Sequence, residues 1–136
     1  WKTRVADSMG GEISSVSAHD GVVLVPAGAG PLGRWGGCQE LVALNATTGE
    51  RLWDFKPDAQ LWNFLALFTD SGTFLFQDQI GGVYHLGLQD GKVHWRSGIK
   101  GGWAQTWCDG GANLGPNGIV YAVNTEGPLR SLGPHL

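Results

Sequence analysis

The sequence predicts an all-β chain built from short antiparallel strands. Its 136 residues include 23 glycines and 6 prolines, more than average usage of these turn formers. Apolar residues do not recur at helical spacing, because Gly pairs and Asp-Gly or Asn-Gly steps interrupt the chain about every eight to twelve residues. Between these breaks lie short runs of β-branched and aromatic residues, which are typical of strands.

The composition excludes several functional classes. Charged residues make up only 15% of the chain and hydrophobic residues 42%, which favours a packed core over a disordered polyelectrolyte. The formal net charge is −3 and the nine Lys and Arg residues are scattered singly, so nucleic acid is not an expected partner. No apolar run approaches the roughly 18 residues of a membrane-spanning helix, so no transmembrane segment is expected.

The strand-like runs fall into three groups. The first group predicts strands at 13–18, 22–25, 40–44 and 51–55. The second predicts strands at 62–68, 73–77, 83–88 and 92–96, and the third is incomplete, with a strand at 119–123. The glycine-rich segment 27–39 predicts a long irregular loop between the second and third strands of the first group.

Turns repeat along the chain at a nearly constant interval. Three two-residue steps each precede an apolar strand, 51 and 46 residues apart, and they are Asp20-Gly21, Ser71-Gly72 and Asn117-Gly118. Trp53 and Trp95 each follow a turn glycine by four residues and are 42 residues apart. Trp1 stands 52 residues before Trp53 and would belong to an earlier copy of the same pattern.

Repeats of about 40 to 50 residues with four strands each have the dimensions of β-propeller blades. We therefore predict one partial β-propeller domain over 1–136, with blades at 2–53 and 54–95 and an incomplete blade at 96–136. A closed propeller needs at least four blades, so we expect the rest to come from further blades of the same protein or from other protein chains.

The segment from Ala43 to Trp53 carries the most specific pattern in the chain. It reads Ala-Leu-Asn-Ala-Thr-Thr-Gly-Glu-Arg-Leu-Trp and resembles the quinoprotein-type (PQQ-like) β-propeller repeat, whose signature is Ala-x-Asp-x-x-Thr-Gly-x-x-x-Trp. Ala43, Thr48, Gly49 and Trp53 occupy the signature positions, and Asn45 replaces the usual Asp. The resemblance implies that these residues dock neighbouring blades onto one another.

Each position of this motif also has a physical reason. Ala43 is small enough to let blades approach, and Asn45 can hydrogen-bond to its own turn. Gly49 can adopt a positive φ, and Trp53 offers a large planar surface for stacking between blades. We therefore expect these residues to have a structural role in joining one blade to the next.

The second and third units match the motif at fewer positions than the first. In the second unit Gly91 and Trp95 keep the turn glycine and the docking tryptophan, whereas His85 stands where the first unit has alanine. In the third unit 122–127 is one residue shorter and no tryptophan follows it at the expected place. The resemblance spans nearly the whole chain, but only the first copy is specific.

The resemblance also raises an enzymatic alternative, because quinoprotein dehydrogenases bind pyrroloquinoline quinone (PQQ) and Ca²⁺. Those enzymes carry an adjacent cysteine pair over the cofactor, whereas Cys38 and Cys108 are 70 residues apart. The two cysteines are compatible with one disulfide or with two buried thiols. Asp109 is better explained by an Asp-Gly-Gly turn than by a role as a ligand.

We expect no catalytic, cofactor-binding or metal-binding residue in this segment. His85 and His94 fall in neighbouring predicted strands, but solvated strand histidines are common and no carboxylate completes a metal site with them. Trp103 and Trp107 share one face of a strand and would form either a ligand platform or a blade-packing surface, of which packing is favoured.

The sequence favours a non-catalytic scaffold or protein-interaction segment of a larger assembly. The insert 27–39, with Arg34 and Trp35 at its tip, is the predicted contact loop for a partner protein. The first alternative is a fragment of a PQQ-dependent alcohol or sugar dehydrogenase whose cofactor site lies outside this segment. The second is a sugar- or pigment-binding propeller. We expect an extracytoplasmic location, and a large membrane-associated complex is one setting that fits.

Overall fold

The computed structural model describes residues 1–10, 15–98, 111–123 and 129–133 and confirms the predicted all-β fold. The strands form three antiparallel sheets in which each strand pairs with its neighbours in the sequence. Sheet 1 contains β1 to β4, which are Ser17–His19, Val22–Ala29, Cys38–Asn45 and Arg51–Phe55. This order makes sheet 1 a four-stranded meander, the unit from which propeller blades are built.

Sheets 2 and 3 repeat this arrangement. Sheet 2 contains β5 to β8, which are Leu67–Phe68, Thr73–Gln77, Val83–Gly87 and Val93–Ser97. Sheet 3 contains β9 to β11, which are Asn113–Leu114, Val120–Val123 and Leu129–Leu132. Helical structure in the described residues amounts to two 3₁₀ turns, Gly33–Trp35 and Pro116–Gly118. The molecule is therefore a partial β-propeller of stacked sheets.

The predicted glycine steps form the first turn of each sheet. In the turn of sheet 1, Asp20 has φ 43° and Gly21 has φ 77°. In the turn of sheet 3, Asn117 has φ 58° and Gly118 has φ 72°. Asp and Asn tolerate the left-handed region better than most residues, since their short side chains can hydrogen-bond locally.

Some predicted bounds differ from the structure. The strand expected at 62–68 is only Leu67–Phe68, because Asn63 takes φ 49° and breaks the extended run. The loop expected at 27–39 covers only 30–37, since Val22–Ala29 and Cys38–Asn45 stay paired as far as Ala29 and Cys38. The strand expected at 13–18 begins at Ser17 in the structure, and 11–14 lie outside the described residues.

The main core lies between sheets 1 and 2. Alternate residues of each strand point to this interface, as the period of a β-strand requires. Its members are Val22, Leu24, Cys38, Leu41, Ala43, Leu61, Phe64, Ala66, Phe74, Phe76, Tyr84, Leu86 and Leu88. Across this interface the Trp53 ring stacks on that of Phe74 with centroids 6.0 Å apart, and the Phe55 ring lies edge-on to that of Tyr84 at 5.5 Å. Aromatic contacts therefore join these two sheets.

The other faces of both sheets are also covered. Leu75 and Val83 of sheet 2 pack against Val120 and Ala122 of sheet 3. The outer face of sheet 1 packs against the N-terminal segment, through Val5, Ala6 and Met9. The two inner strands of the central sheet are thus enclosed on both faces, which explains why Thr73–Gln77 and Val83–Gly87 are buried throughout.

We predict that Phe74→Ala lowers the free energy of unfolding by about 3 to 5 kcal/mol, because the ring is fully buried between two sheets and its loss leaves a cavity. Denaturant unfolding measures the change. Phe74→Leu should have a smaller effect, and Leu52→Ala, at an exposed position, should stay within about 0.5 kcal/mol. Equal effects of Phe74→Ala and Leu52→Ala would contradict the packing described here.

Candidate functional site

Trp53 reaches from sheet 1 to the last turn of sheet 2. Its indole Nε1–H donates a hydrogen bond of 3.0 Å to the carbonyl oxygen of Leu88. Its ring covers Gly91, where an added Cβ would lie 2.6 Å from Trp53 Cδ2. Only glycine leaves room for the ring at that point, and Gly91 also has φ 66°. The ring, the donor and the turn glycine therefore form one contact.

The turn of sheet 1 at 45–50 is built by short side chains. Asn45 Oδ1 accepts hydrogen bonds from the backbone N–H groups of Thr47, at 2.8 Å, and Thr48, at 3.0 Å. Thr48 Oγ1 accepts from the N–H of Glu50 at 3.2 Å. Gly49 has φ 76° and donates its N–H to the carbonyl oxygen of Asn45. These bonds explain why Asn replaces Asp here without loss of the turn.

Trp1 makes the equivalent contact on this turn. Its Nε1–H donates to the carbonyl oxygen of Ala46 at 3.0 Å, as Trp53 donates to Leu88. The ring of Trp1 covers Gly49 as Trp53 covers Gly91. The same geometry, with a tryptophan over a turn glycine three residues after the acceptor carbonyl, is thus present twice.

Ala43 and His85 occupy equivalent positions, opposite Trp53 and Trp95 in the strand register. Both hairpins shift register immediately afterwards, so the irregularity belongs to the repeat. Ala43 is fully buried, whereas the ring of His85 lies 5.4 Å from that of Trp95. The turn of sheet 3 that Trp95 would cover, at 124–127, lies outside the described residues.

His85 is a buried histidine that contacts Thr73 and His94. Its Nε2 lies 2.6 Å from Thr73 Oγ1, and its ring centroid is 5.0 Å from that of His94. Burial, and secondarily His94, lower the pKa of His85 below its usual value, so the neutral ring is favoured. No three His, Cys, Asp or Glu side chains come together for a metal ion in the part of the chain that the structure describes.

The predicted contact loop, 30–37, lies at the end of sheet 1 opposite the docking turns. Its tip is the 3₁₀ turn Gly33–Trp35, closed by a hydrogen bond of 3.1 Å from Trp35 N–H to the carbonyl oxygen of Leu32. Trp35 is 76% exposed and Leu32 is 48% exposed. Arg34 belongs to the same turn, and its side chain lies outside the described residues.

Gln60 holds this loop in place, although it precedes sheet 2 in the sequence. Its Oε1 accepts a hydrogen bond of 3.1 Å from Gly37 N–H. Its amide group lies directly against Gly30, where an added Cβ would displace it. Cys38 and Leu61 exchange two backbone hydrogen bonds beside it. Sequence reasoning did not find Gln60, because the partner of its side chain is a backbone group 23 residues away.

Cys38 is buried beside Leu61, and burial raises the pKa of its thiol. Its predicted disulfide partner, Cys108, lies outside the described residues, as do Trp103, Trp107 and Asp109. The disulfide and the aromatic platform therefore remain predictions.

A second buried polar group, Asp78, joins the linker after sheet 1 to sheet 2. Its carboxylate accepts hydrogen bonds from Tyr84 O–H at 2.7 Å and from Gly82 N–H at 2.8 Å. Tyr84 Oη in turn accepts a bond from Asp58 N–H at 2.8 Å, and the Asp58 carboxylate pairs with Arg96 at 2.6 Å. Burial raises the pKa of Asp78, and its hydrogen bonds and Arg96 oppose that rise.

We predict that Gly91→Ala destabilises the protein more than Gly72→Ala. Both glycines have positive φ, so both variants carry a backbone strain of about 1 kcal/mol. Nothing lies near the added methyl group at Gly72, whereas at Gly91 it meets the Trp53 ring. Thermal or denaturant unfolding measures the stability of both variants. The difference between them gives the cost of disturbing the contact between Trp53 and Gly91. Equal destabilisation would show that Trp53 moves away from the turn without cost.

We also predict that Trp53→Phe costs about 1 kcal/mol, because it keeps an aromatic ring but removes the hydrogen bond to Leu88. Trp53→Ala should cost more, since the ring packing is lost as well. Denaturant unfolding of the two variants separates the two contributions. A neutral effect of Trp53→Phe would assign the whole contribution to the ring.

The Asp78 pKa gives a pH prediction. Because its folded-state pKa is raised, the folded chain binds this proton more tightly than the unfolded chain does. The contribution of Asp78 to stability is therefore largest at acid pH and falls as the pH rises from about 4 through the raised pKa. Asp78→Asn should remove this slope, measured as the free energy of unfolding against pH.

Tyr84→Phe should raise the Asp78 pKa further, since it removes a hydrogen bond that lowers this pKa. The decline of stability should then continue to higher pH. Identical pH profiles of the wild type and Asp78→Asn would contradict this account.

Comparison with protein-family models and with curated proteins gives no match. Among the described residues, no helix has the length and apolar character needed to cross a membrane. Solved structures do match, and the chain is similar to BamB from Moraxella catarrhalis, with a TM-score of 0.65 and 16% identity over 86% of this chain. The chain spans 32% of that protein's length. At this identity the similarity supports the β-propeller fold alone.

Proposed function

We propose that this chain is part of a PQQ-like β-propeller that acts as a non-catalytic scaffold and binds a partner protein through the loop 30–37. The observation that carries the proposal is Trp35, a large aromatic side chain 76% exposed on a turn that the structure holds in place. Tryptophan is among the residues most enriched at the centre of protein interfaces. Leu32, also exposed, adds a second apolar group to the same loop.

Hydrogen bonds hold the loop in one conformation, with these side chains at its surface. Its turn is closed by backbone hydrogen bonds from Gly33 N–H to the Gly30 carbonyl oxygen, at 2.9 Å, and from Gly36 N–H to the Gly33 carbonyl oxygen, at 3.1 Å. Gln60 fastens the base of the loop to the linker of the next sheet. A preorganised loop loses less conformational entropy on binding, which favours affinity.

The repeat itself favours a structural role. Trp53 joins sheet 1 to sheet 2, and Trp1 fastens the N-terminal segment to the turn of sheet 1. Asn45, Thr48 and Asp90 accept hydrogen bonds from backbone N–H groups of their own turns. We propose that neither PQQ nor Ca²⁺ binds to this segment. The expected partners are other protein chains or further blades of the same protein, in an extracytoplasmic compartment.

The test replaces Trp35 with Ala and compares it with Leu129→Ala, a variant at an exposed apolar position of sheet 3. A photo-crosslinking group at Leu32 identifies the partner, and titration of the purified partner then measures affinity. Trp35→Ala should weaken binding by about thirtyfold or more, while Leu129→Ala leaves it unchanged. The thermal unfolding temperature should not change in either variant.

Arg34→Ala provides a second test of the same loop, since Arg is also enriched at interface centres. Undiminished partner binding by the Arg34→Ala and Trp35→Ala double variant would overturn the proposal. So would a crosslink that forms only at other faces of the chain.

A further inference from the structure

A cleft separates the first turns of sheets 2 and 3, at the end of the sheets away from the loop 30–37. Its volume is about 370 Å³ and it opens to solvent. It is lined by Phe68, Thr69, Asp70, Ser71, Leu114, Gly115, Asn117 and Gly118. The corresponding gap between sheets 1 and 2 is closed, since His19 stacks on Phe68 with ring centroids 4.8 Å apart.

The polar groups of the cleft can both donate and accept hydrogen bonds. Asp70 supplies a carboxylate acceptor, Asn117 an amide with both functions, and Ser71 a hydroxyl group. Asp70 is the one ionisable side chain among the residues of the lining. An anionic ligand would therefore be repelled, whereas a neutral ligand with many hydroxyl groups would match these donors and acceptors.

A buried histidine orients the hydroxyl groups of one wall. Thr73 Oγ1 lies 2.6 Å from His85 Nε2 and 3.1 Å from Ser71 Oγ. His85 Nδ1 is buried without a hydrogen-bond partner, so the tautomer that avoids an unpaired N–H carries its proton on Nε2 and donates to Thr73.

This tautomer determines the direction of the other hydrogen bonds in the wall. Thr73 then donates its own proton onward to Thr69, at 2.6 Å, or to Ser71. Thr69 O–H can donate to the carbonyl oxygen of Thr73, at 3.2 Å. Ser71 can donate its own proton to Thr69, at 2.9 Å, or into the cleft.

Apolar surface completes the site. Leu114 of sheet 3 lines the cleft next to the polar turns, and so does Phe68 of sheet 2, whose ring also stacks on His19 of sheet 1. A sugar ring presents hydroxyl groups at its edge and C–H groups on its faces, so it needs both kinds of surface. From these features we propose that the cleft between the first turns of sheets 2 and 3 binds a neutral saccharide.

The test titrates the isotope-labelled chain with glucose, galactose and mannose and follows backbone amide signals by NMR. Amides of 69–71 and 115–118 should shift with at least one sugar, and glucuronate, which is anionic, should bind more weakly because of Asp70. No shift of these amides up to about 100 mM of any neutral sugar would overturn the proposal, as would equal binding of glucuronate.

A matched pair of variants tests the site itself. Asn117→Gly keeps the positive φ of its turn and removes only the side-chain amide, and Asp20→Gly makes the same change in the turn of sheet 1. Asn117→Gly should weaken sugar binding by about tenfold, the effect of one or two lost hydrogen bonds, and Asp20→Gly should leave it unchanged.

An equal loss in both variants, or none in Asn117→Gly, would contradict the assignment. Circular dichroism checks that both variants fold. The contact loop lies at the opposite end of the sheets, so failure of the saccharide site leaves the proposed partner binding to be judged by its own test.

Discussion

The structure depends on one constraint, that each apolar face of a sheet must be covered by another layer. A four-stranded meander of this size cannot bury its apolar side chains alone, and a sheet with apolar residues at both sets of alternating positions needs a layer on each side. Sheet 2 satisfies the constraint with sheets 1 and 3, and its strands Thr73–Gln77 and Val83–Gly87 are accordingly buried on both sides. The Trp53 contact also holds the end of sheet 1 against the last turn of sheet 2.

In the residues that the structure describes, contacts of this kind join neighbouring sheets. Trp53 links sheet 1 to sheet 2, and Arg130 of sheet 3 donates a hydrogen bond of 2.5 Å to the carbonyl oxygen of Gly81, in the turn between the two inner strands of sheet 2. Stability in such a stack is close to a sum of unit terms and interface terms, as in other repeat architectures. The two functional proposals sit at opposite ends of the sheets, one on a loop and one between turns, so neither requires the other.

Sequence reasoning could predict the parts of the fold that local chemistry determines. The turns at Gly21, Gly72 and Gly118, and the strand at Arg51–Phe55, follow from short patterns of residue type. The site around the loop 30–37 could be predicted only in outline, because its shape depends on Gln60, a polar residue with no motif around it. The cleft had no sequence signal, since its two walls are 46 residues apart and ordinary in composition.

The position of Gln60 has a consequence for how this protein can vary. The loop 30–37 belongs to sheet 1 in sequence, yet its base is fastened by a residue that leads into sheet 2. The loop is therefore not a portable module, and grafting 30–37 alone onto another blade would transfer its residues without its conformation. A change in the linker at Gln60 would alter the conformation of the loop, so the two segments are expected to evolve together.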